Sequence, residues 1–343
     1  MVLGGVLPDT AFVNVLVIVA STFFIWLGSG WLESSAEHLS AYYGLPAVVQ
    51  GSIVIAVGSS FPELASVVFT ALNGVFGMGV GAVVGSAIFN ILVVPAVSGI
   101  AAKGALDSSR TLVYKEAQFY MVAVSALIVT LALAVIYFPQ EGTGLTGIIT
   151  RPLAVVPILL YGVYVFIQWQ DIADHEAEHE MDMNILKQWG TLAAGLLVIL
   201  VTVEQLVAAV ESLNQTFGVP DFLAGVTIIA AATSLPDTLV SVRAARDGRG
   251  ITSLGNVLGS NTFDLLVAIP LGVLIAGSAP VNFAVAAPMM GVLTVATILL
   301  FVMLRTDLVL TTAESYTLLL AYLLFVSWMV AETVGVVDLV VTG

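Results

Sequence analysis

Three acidic residues, Glu63, Asp237 and Asp264, stand inside long apolar runs. A charged side chain at a bilayer centre costs about 2.5–3.5 kcal/mol on insertion scales, so such groups persist mainly where they face a cavity or an ion. Hydroxyls accompany them at helical spacing. Ser59 and Ser60 lie four and three residues before Glu63, and Thr233 and Ser234 hold the same positions before Asp237. Ser86 lies four residues before Asn90, and Ser260 four before Asp264. Residues three or four apart share a helix face, so each acid or amide has a hydroxyl beside it. All these groups offer oxygen. Hard oxygen donors suit Na⁺, Ca²⁺, Mg²⁺ or Mn²⁺ rather than Zn²⁺ or Cu⁺. The chain has no cysteine, which removes disulfides, thiolate metal sites and thiol nucleophiles.

Pro62 and Pro236 each sit one residue before an acid. A proline inside a helix withholds an N–H and distorts the carbonyls about one turn earlier. Those lie around Gly58 and Ala232, and Ala56 and Ala230 are further candidates for backbone cation ligands. Non-helical backbone at this depth is tolerated where it lines a protein cavity. Asn90 by itself fits an interhelical hydrogen bond as readily as an ion contact.

The elements that carry these residues follow from composition. Of 343 residues, 59% are hydrophobic and 9% charged, against about 45–50% and 25% in soluble domains. Apolar stretches of crossing length fall at about 10–34, 46–72, 79–102, 115–138 and 149–168, then 189–214, 220–245, 253–276, 284–305 and 312–333. They are too long and continuous for the alternating strands of a barrel. An all-α polytopic membrane protein of ten helices is predicted. The net charge of −14 argues against nucleic-acid binding. Residues 1–12 lack a basic stretch and are read as leading into a true span rather than a signal peptide. With ten crossings, Lys103, Arg110, Lys115, Lys187, Arg243, Arg246, Arg249 and Arg305 share one face, and Arg151 alone falls on the other. That bias places the central loop in the cytoplasm and both termini outside.

A shift of 174 residues aligns the halves without a gap: 44–63 lies over 218–237, and 83–93 over 257–267. Glu63 to Asn90 and Asp237 to Asp264 are both intervals of 27 residues. The expected organisation is a first five-helix repeat (1–168), an acidic cytoplasmic loop (169–188) and a second five-helix repeat (189–343). Five is odd, so the second copy enters the membrane inverted, the plan of secondary transporters with an ion site where the repeats meet.

Gly-Ser-Ser-Phe-Pro-Glu (58–63) with Gly-Ser-Ala-Ile-Phe-Asn (85–90), and Ala-Thr-Ser-Leu-Pro-Asp (232–237) with Gly-Ser-Asn-Thr-Phe-Asp (259–264), resemble the two α-repeats of the cation/Ca²⁺ exchanger superfamily, in its prokaryotic sodium/calcium exchanger branch. The signature covers about a third of the chain, 44–100 and 218–275. The resemblance implies a Na⁺/Ca²⁺ antiporter working by alternating access and not an enzyme. Its ions are transported, and no tightly held cofactor is implied. Glu63 and Asp237 would bind Ca²⁺ and share Na⁺ with Ser59, Ser60, Thr233, Ser234, Ser86 and Ser260, while Asn90 and Asp264 line the central position. Asp237 departs from the usual Glu by one methylene, as in the potassium-dependent sodium/calcium exchangers. K⁺ co-transport and H⁺ coupling through Asp264 stay open.

His175-Glu176-Ala177-Glu178-His179 matches the H-E-x-x-H zinc protease pattern. It lies in a polar acidic stretch outside the apolar spans and is read as solvated loop, with weak metal or proton sensing as the functional alternative. Glu33, Glu37, Glu204, Glu211, Glu314 and Glu332 are read as interfacial, Glu204 being the deepest. A passive channel is disfavoured, because conduction needs weaker sites in a row.

Overall fold

The computed structural model describes residues 8, 10–44, 54–102, 104–140, 145–170 and 183–337. The His175–His179 segment lies outside them, as do Pro46, Gly51 and Lys103. In the first half, α1 (Ala11–Tyr42) is followed by α2 (Ala56–Ser59), α3 (Phe61–Leu72), α4 (Phe76–Leu92), α5 (Val94–Ala101), β1 (Leu106–Asp107), α6 (Ala117–Tyr137), β2 (Thr146–Thr150) and α7 (Arg151–Gln170). In the second, α8 (Ile185–Phe217) is followed by α9 (Asp221–Ala224), α10 (Ala230–Thr233), α11 (Leu235–Arg246), α12 (Gly250–Phe263), α13 (Ile269–Ala276), β3 (Ser278–Asn282), α14 (Phe283–Arg305), β4 (Val309–Leu310) and α15 (Thr312–Thr333). Wide π turns join α9 to α10 and α12 to α13.

Among the described residues, eight helical stretches are long and apolar enough to cross a bilayer, and α9–α11 make a ninth, bent crossing. The shorter apolar helix α3 follows α2 across a break where the sequence predicts the remaining span. Helices α1 and α8 run 32 and 33 residues, well beyond the roughly 20 that a bilayer requires. The all-α expectation needs one correction. Loop segments at the span ends pair as two small antiparallel ribbons, β1 with β4 and β2 with β3. Extended backbone at a span end carries N–H and C=O groups that need partners.

The repeat partners α1 and α8 pack antiparallel. Asn14 Nδ2 donates to Ser212 Oγ at 2.9 Å near one end, and Trp189 Nε1 to Tyr43 OH at 3.4 Å near the other. Between these contacts a Cβ on Gly195 would lie 2.7 Å from the Gly28 carbonyl oxygen, so the helices meet backbone to backbone. The ribbons sort the loops. β1 with β4 brings the Arg110 and Arg305 loops together, and Asp107 packs on Gly250, which adds the Arg243–Arg249 loop. The β2–β3 ribbon lies at the far end of α6, where Arg151 Nε donates to the Leu274 carbonyl at 3.1 Å. The described basic side chains of these loops are therefore segregated as the charge pattern predicts.

Helix α4 forms the buried centre, with all but two of its 17 residues buried. Gly81 and Gly85 let its backbone lie directly on the backbone of Phe222 and Val226, and Gly225 returns the contact against Met78. Small residues are what allow such close approach between membrane helices.

Candidate cation site

The two acid-bearing spans break at corresponding residues. Ser60 (φ −86°, ψ 5°) ends α2, and Ser234 (φ −78°, ψ −3°) ends α10. Pro62 and Pro236 then occupy the first turns of α3 and α11, where a proline costs no hydrogen bond. The second break bends the chain by 45°. Glu63 and Asp237 thereby fall in the first turn of a new helix, where the dipole favours negative charge.

The break changes the expectation for the carbonyls. Ala56 O accepts the Ser60 N–H at 3.0 Å and the Ser59 hydroxyl at 3.2 Å. Ala230 O accepts the Ser234 N–H at 3.0 Å and the Thr233 hydroxyl at 3.4 Å. Neither oxygen is free, so a cation would have to displace a hydroxyl to reach it.

Glu63, Asp237, Asp264, Asn90, Ser59, Ser60, Ser86, Thr233, Ser234 and Ser260 are all wholly buried. The repeat shows in their bonding. Ser86 Oγ donates to Glu63 Oε1 at 3.2 Å, and its counterpart Ser260 donates to Asp237 Oδ1 at 3.1 Å. Contacts across the repeats close the ring: Ser234 Oγ donates to Ser86 Oγ at 2.8 Å, and the Ser59 and Ser260 hydroxyls lie 2.9 Å apart. Thr233 faces Glu63, Ser59 faces Asp237, and Ser60 faces Asp264 without closing a hydrogen bond.

Symmetry fails at the Asn90/Asp264 pair, and the failure is informative. Asn90 Nδ2 donates to Asp237 Oδ2 at 2.9 Å. Asp264, in the matching place, meets the charges of Glu63 and Asp237 instead. Asp237 therefore has amide and hydroxyl donors. On the other side Glu63 Oε2, both Asp264 oxygens and Asn90 Oδ1 are buried with no hydrogen-bond partner. A buried acceptor left unpaired costs about 1–3 kcal/mol, more if charged. Oxygens of this kind are what a hard cation needs. Among the described residues, no three acidic, histidine or cysteine side chains form a metal cluster by themselves. Amide and hydroxyl oxygens must therefore complete any site there.

Two residues escaped sequence reasoning. Asn261 Oδ1 accepts from Asn90 Nδ2 at 3.1 Å, and its own amide donates to Ala87 O at 3.2 Å and Tyr120 OH at 3.3 Å. Asn256 Nδ2 reaches Asp237 Oδ1 at 3.5 Å and Ser241 Oγ at 3.3 Å. Ser253, Asn256, Ser260 and Asp264 recur at helical spacing, and that stripe was the available signal. Glu204 lies on the outer surface of α8, away from the buried ring. Glu314 caps α15 and Glu332 accepts from the Trp328 indole at 3.1 Å. A cavity of about 1140 Å³ opens beside the site, its lining including Pro236 and Asn256, the acids Glu33, Glu37, Glu116 and Asp247, and the bases Arg243, Arg246 and Arg249.

This is a polytopic helical membrane protein with a mid-bundle oxygen site at the junction of two related halves. The profile described as sodium/calcium exchanger protein matches residues 13–170 and 187–331, and the chain belongs to that family of exchangers. It is 27% identical over 252 residues to an uncharacterized membrane protein of Methanocaldococcus jannaschii, covering 72% of this chain and 77% of the relative. It is 24% identical over 288 residues to the sodium/calcium exchanger MaX1 of Methanosarcina acetivorans, covering 76% and 82%. Over 79 residues, 22% of this chain and 16% of the relative, it is 44% identical to human sodium/potassium/calcium exchanger 5. The fold is similar to that of the sodium-calcium exchanger NCX_Mj, soaked with Na⁺ and Sr²⁺, at a TM-score of 0.64 and 23% identity over 93% of this chain and 99% of that one.

Proposed function

We propose that the chain is a secondary active antiporter that exchanges Na⁺ for Ca²⁺ by alternating access at the buried oxygen site. The observation that carries this reading is the set of unpaired buried oxygens on Glu63, Asp264 and Asn90, held where the two broken spans cross. Family membership and the name of the Methanosarcina relative support it. Three acidic side chains without cations repel one another. One Ca²⁺ or several Na⁺ relieve that repulsion to a similar degree. The two loads compete for Glu63 and Asp237 and exclude each other, and a loaded carrier reorients where an empty charged one does not.

In this reading the ten crossings form two inverted repeats, 1–168 and 189–343, joined by the 169–188 loop in the cytoplasm of a cell-membrane protein with both termini outside. The antiparallel α1/α8 pair is the element that slides past the ion-holding helices. Its backbone-to-backbone glycine contact holds the two helices together, so that they move as one unit. The cavity then opens to the cytoplasmic, arginine-bearing face. A second reading is potassium-dependent exchange, favoured by Asp237 and by the local match to the human sodium/potassium/calcium exchanger. Radiolabelled Ca²⁺ flux in proteoliposomes under Na⁺, K⁺ or pH gradients separates these couplings. Glu63→Ala and Asp237→Ala are each expected to abolish Na⁺-driven flux. Wild-type flux from the double variant would overturn the proposal.

A further inference from the structure

The family signature does not include Glu33, which lies on α1 outside both broken segments. Its Cγ lies 3.7 Å from where a Cβ on Gly58 would stand, so the side chain leans on the span just before its break. Glu33 Oε1 is buried and has no hydrogen-bond partner. The charges of Asp237, of Glu37 one helical turn away and of Glu63 all act on Glu33. Asn256, 6% exposed, lines the same cavity; its Oδ1 also lacks a partner while its amide reaches toward Asp237. Two residues from separate helices that line one cavity thus each carry a buried oxygen without a partner. Like-charge neighbours make an isolated carboxylate there unfavourable, and a divalent cation reverses that sign.

We propose that Glu33 and Asn256 form an outer Ca²⁺ site that holds the ion between the cavity and Asp237. Asn256 links the two positions, since one amide serves both through opposite ends. Glu33, with Glu37, Glu116 and Asp247 in the same lining, offsets the repulsion that Arg243 and Arg246 exert on Ca²⁺. The site is weaker than the buried ring, having one carboxylate and more water. The proposal rests on the exchange reading for the identity of the ion, but binding tests it without transport.

The experiment is equilibrium dialysis of radiolabelled Ca²⁺ against the purified full-length chain in detergent. Wild type is expected to show a tight and a weaker class. Glu33→Gln and Glu33→Asp should weaken the second class by roughly tenfold and severalfold respectively, the scale of one partly screened charge. Glu63→Gln should remove the tight class and leave the weaker one. Glu204→Gln, an acid-to-amide change elsewhere, should alter neither. In oriented vesicles, Glu33→Gln should raise the KM for Ca²⁺ offered on the arginine-bearing face and not on the other. A single class in wild type, or both folded Glu33 variants binding as wild type, overturns the outer site. Two intact classes with no Na⁺-driven flux sink the exchange reading and leave the outer site standing.

Discussion

Asp264→Asn is the sharpest probe of the buried site, because it changes charge with almost no change in volume. Both Asp264 oxygens are buried and unpaired, so the substitution breaks no hydrogen bond to a protein donor. A unit charge about 5 Å from a monovalent cation is worth about 3 kcal/mol at an effective dielectric of 20, and twice that for a divalent one. Relief of the repulsion among Asp264, Glu63 and Asp237 offsets part of this, and the amide oxygen that remains still coordinates. A net loss near 3 kcal/mol for Ca²⁺ and half that for each Na⁺ corresponds to roughly 100-fold and 10-fold weaker binding. The selective signature is the point: Ca²⁺ should suffer about ten times more than Na⁺. Isothermal titration on the detergent-purified chain, with Na⁺ competition, reads both. If folded Asp264→Asn binds Ca²⁺ within threefold of wild type, the unpaired oxygens are not the cation ligands and the argument fails.

Other predictions follow from the same geometry. Asn90→Asp replaces a 2.9 Å donor to Asp237 with a like charge, a repulsion of several kcal/mol, and should abolish Ca²⁺ flux. Adding Asp264→Asn moves the charge to the other repeat and should recover at least part of that flux, measured as a double-mutant cycle. Gly85→Ala would drive a Cβ into the Val226 backbone, lowering thermal stability by about 1–3 kcal/mol. It should also reduce exchange, because Ser86 moves with α4. Gly77→Ala, with open space at its Cβ, should do neither.

The one-dimensional chain already determined much of this. Membrane residence and most span positions follow from apolar run length, and spacing singled out ten polar residues that the fold buries together. Both are local properties of sequence, and burial in lipid makes each polar exception conspicuous. The segregation of basic loops follows likewise, and the ribbons between span ends bear it out. What needed three dimensions was partnership. Asn90 and Asp264 occupy equivalent places, yet one donates to Asp237 and the other faces the charges of Glu63 and Asp237 with both oxygens unpaired. That difference depends on which side chain lies across the bundle, more than a hundred residues away along the chain. The Ala56 and Ala230 carbonyls were further candidates for backbone cation ligands. They are occupied because the helices break at Ser60 and Ser234 and restart with proline in the first turn. Glu204 and Glu33 look alike as acids in apolar runs. The packing of α1 against the broken span, rather than any local pattern, turns Glu33 inward and leaves Glu204 exposed, since helix rotation is set by the neighbours each face must bury.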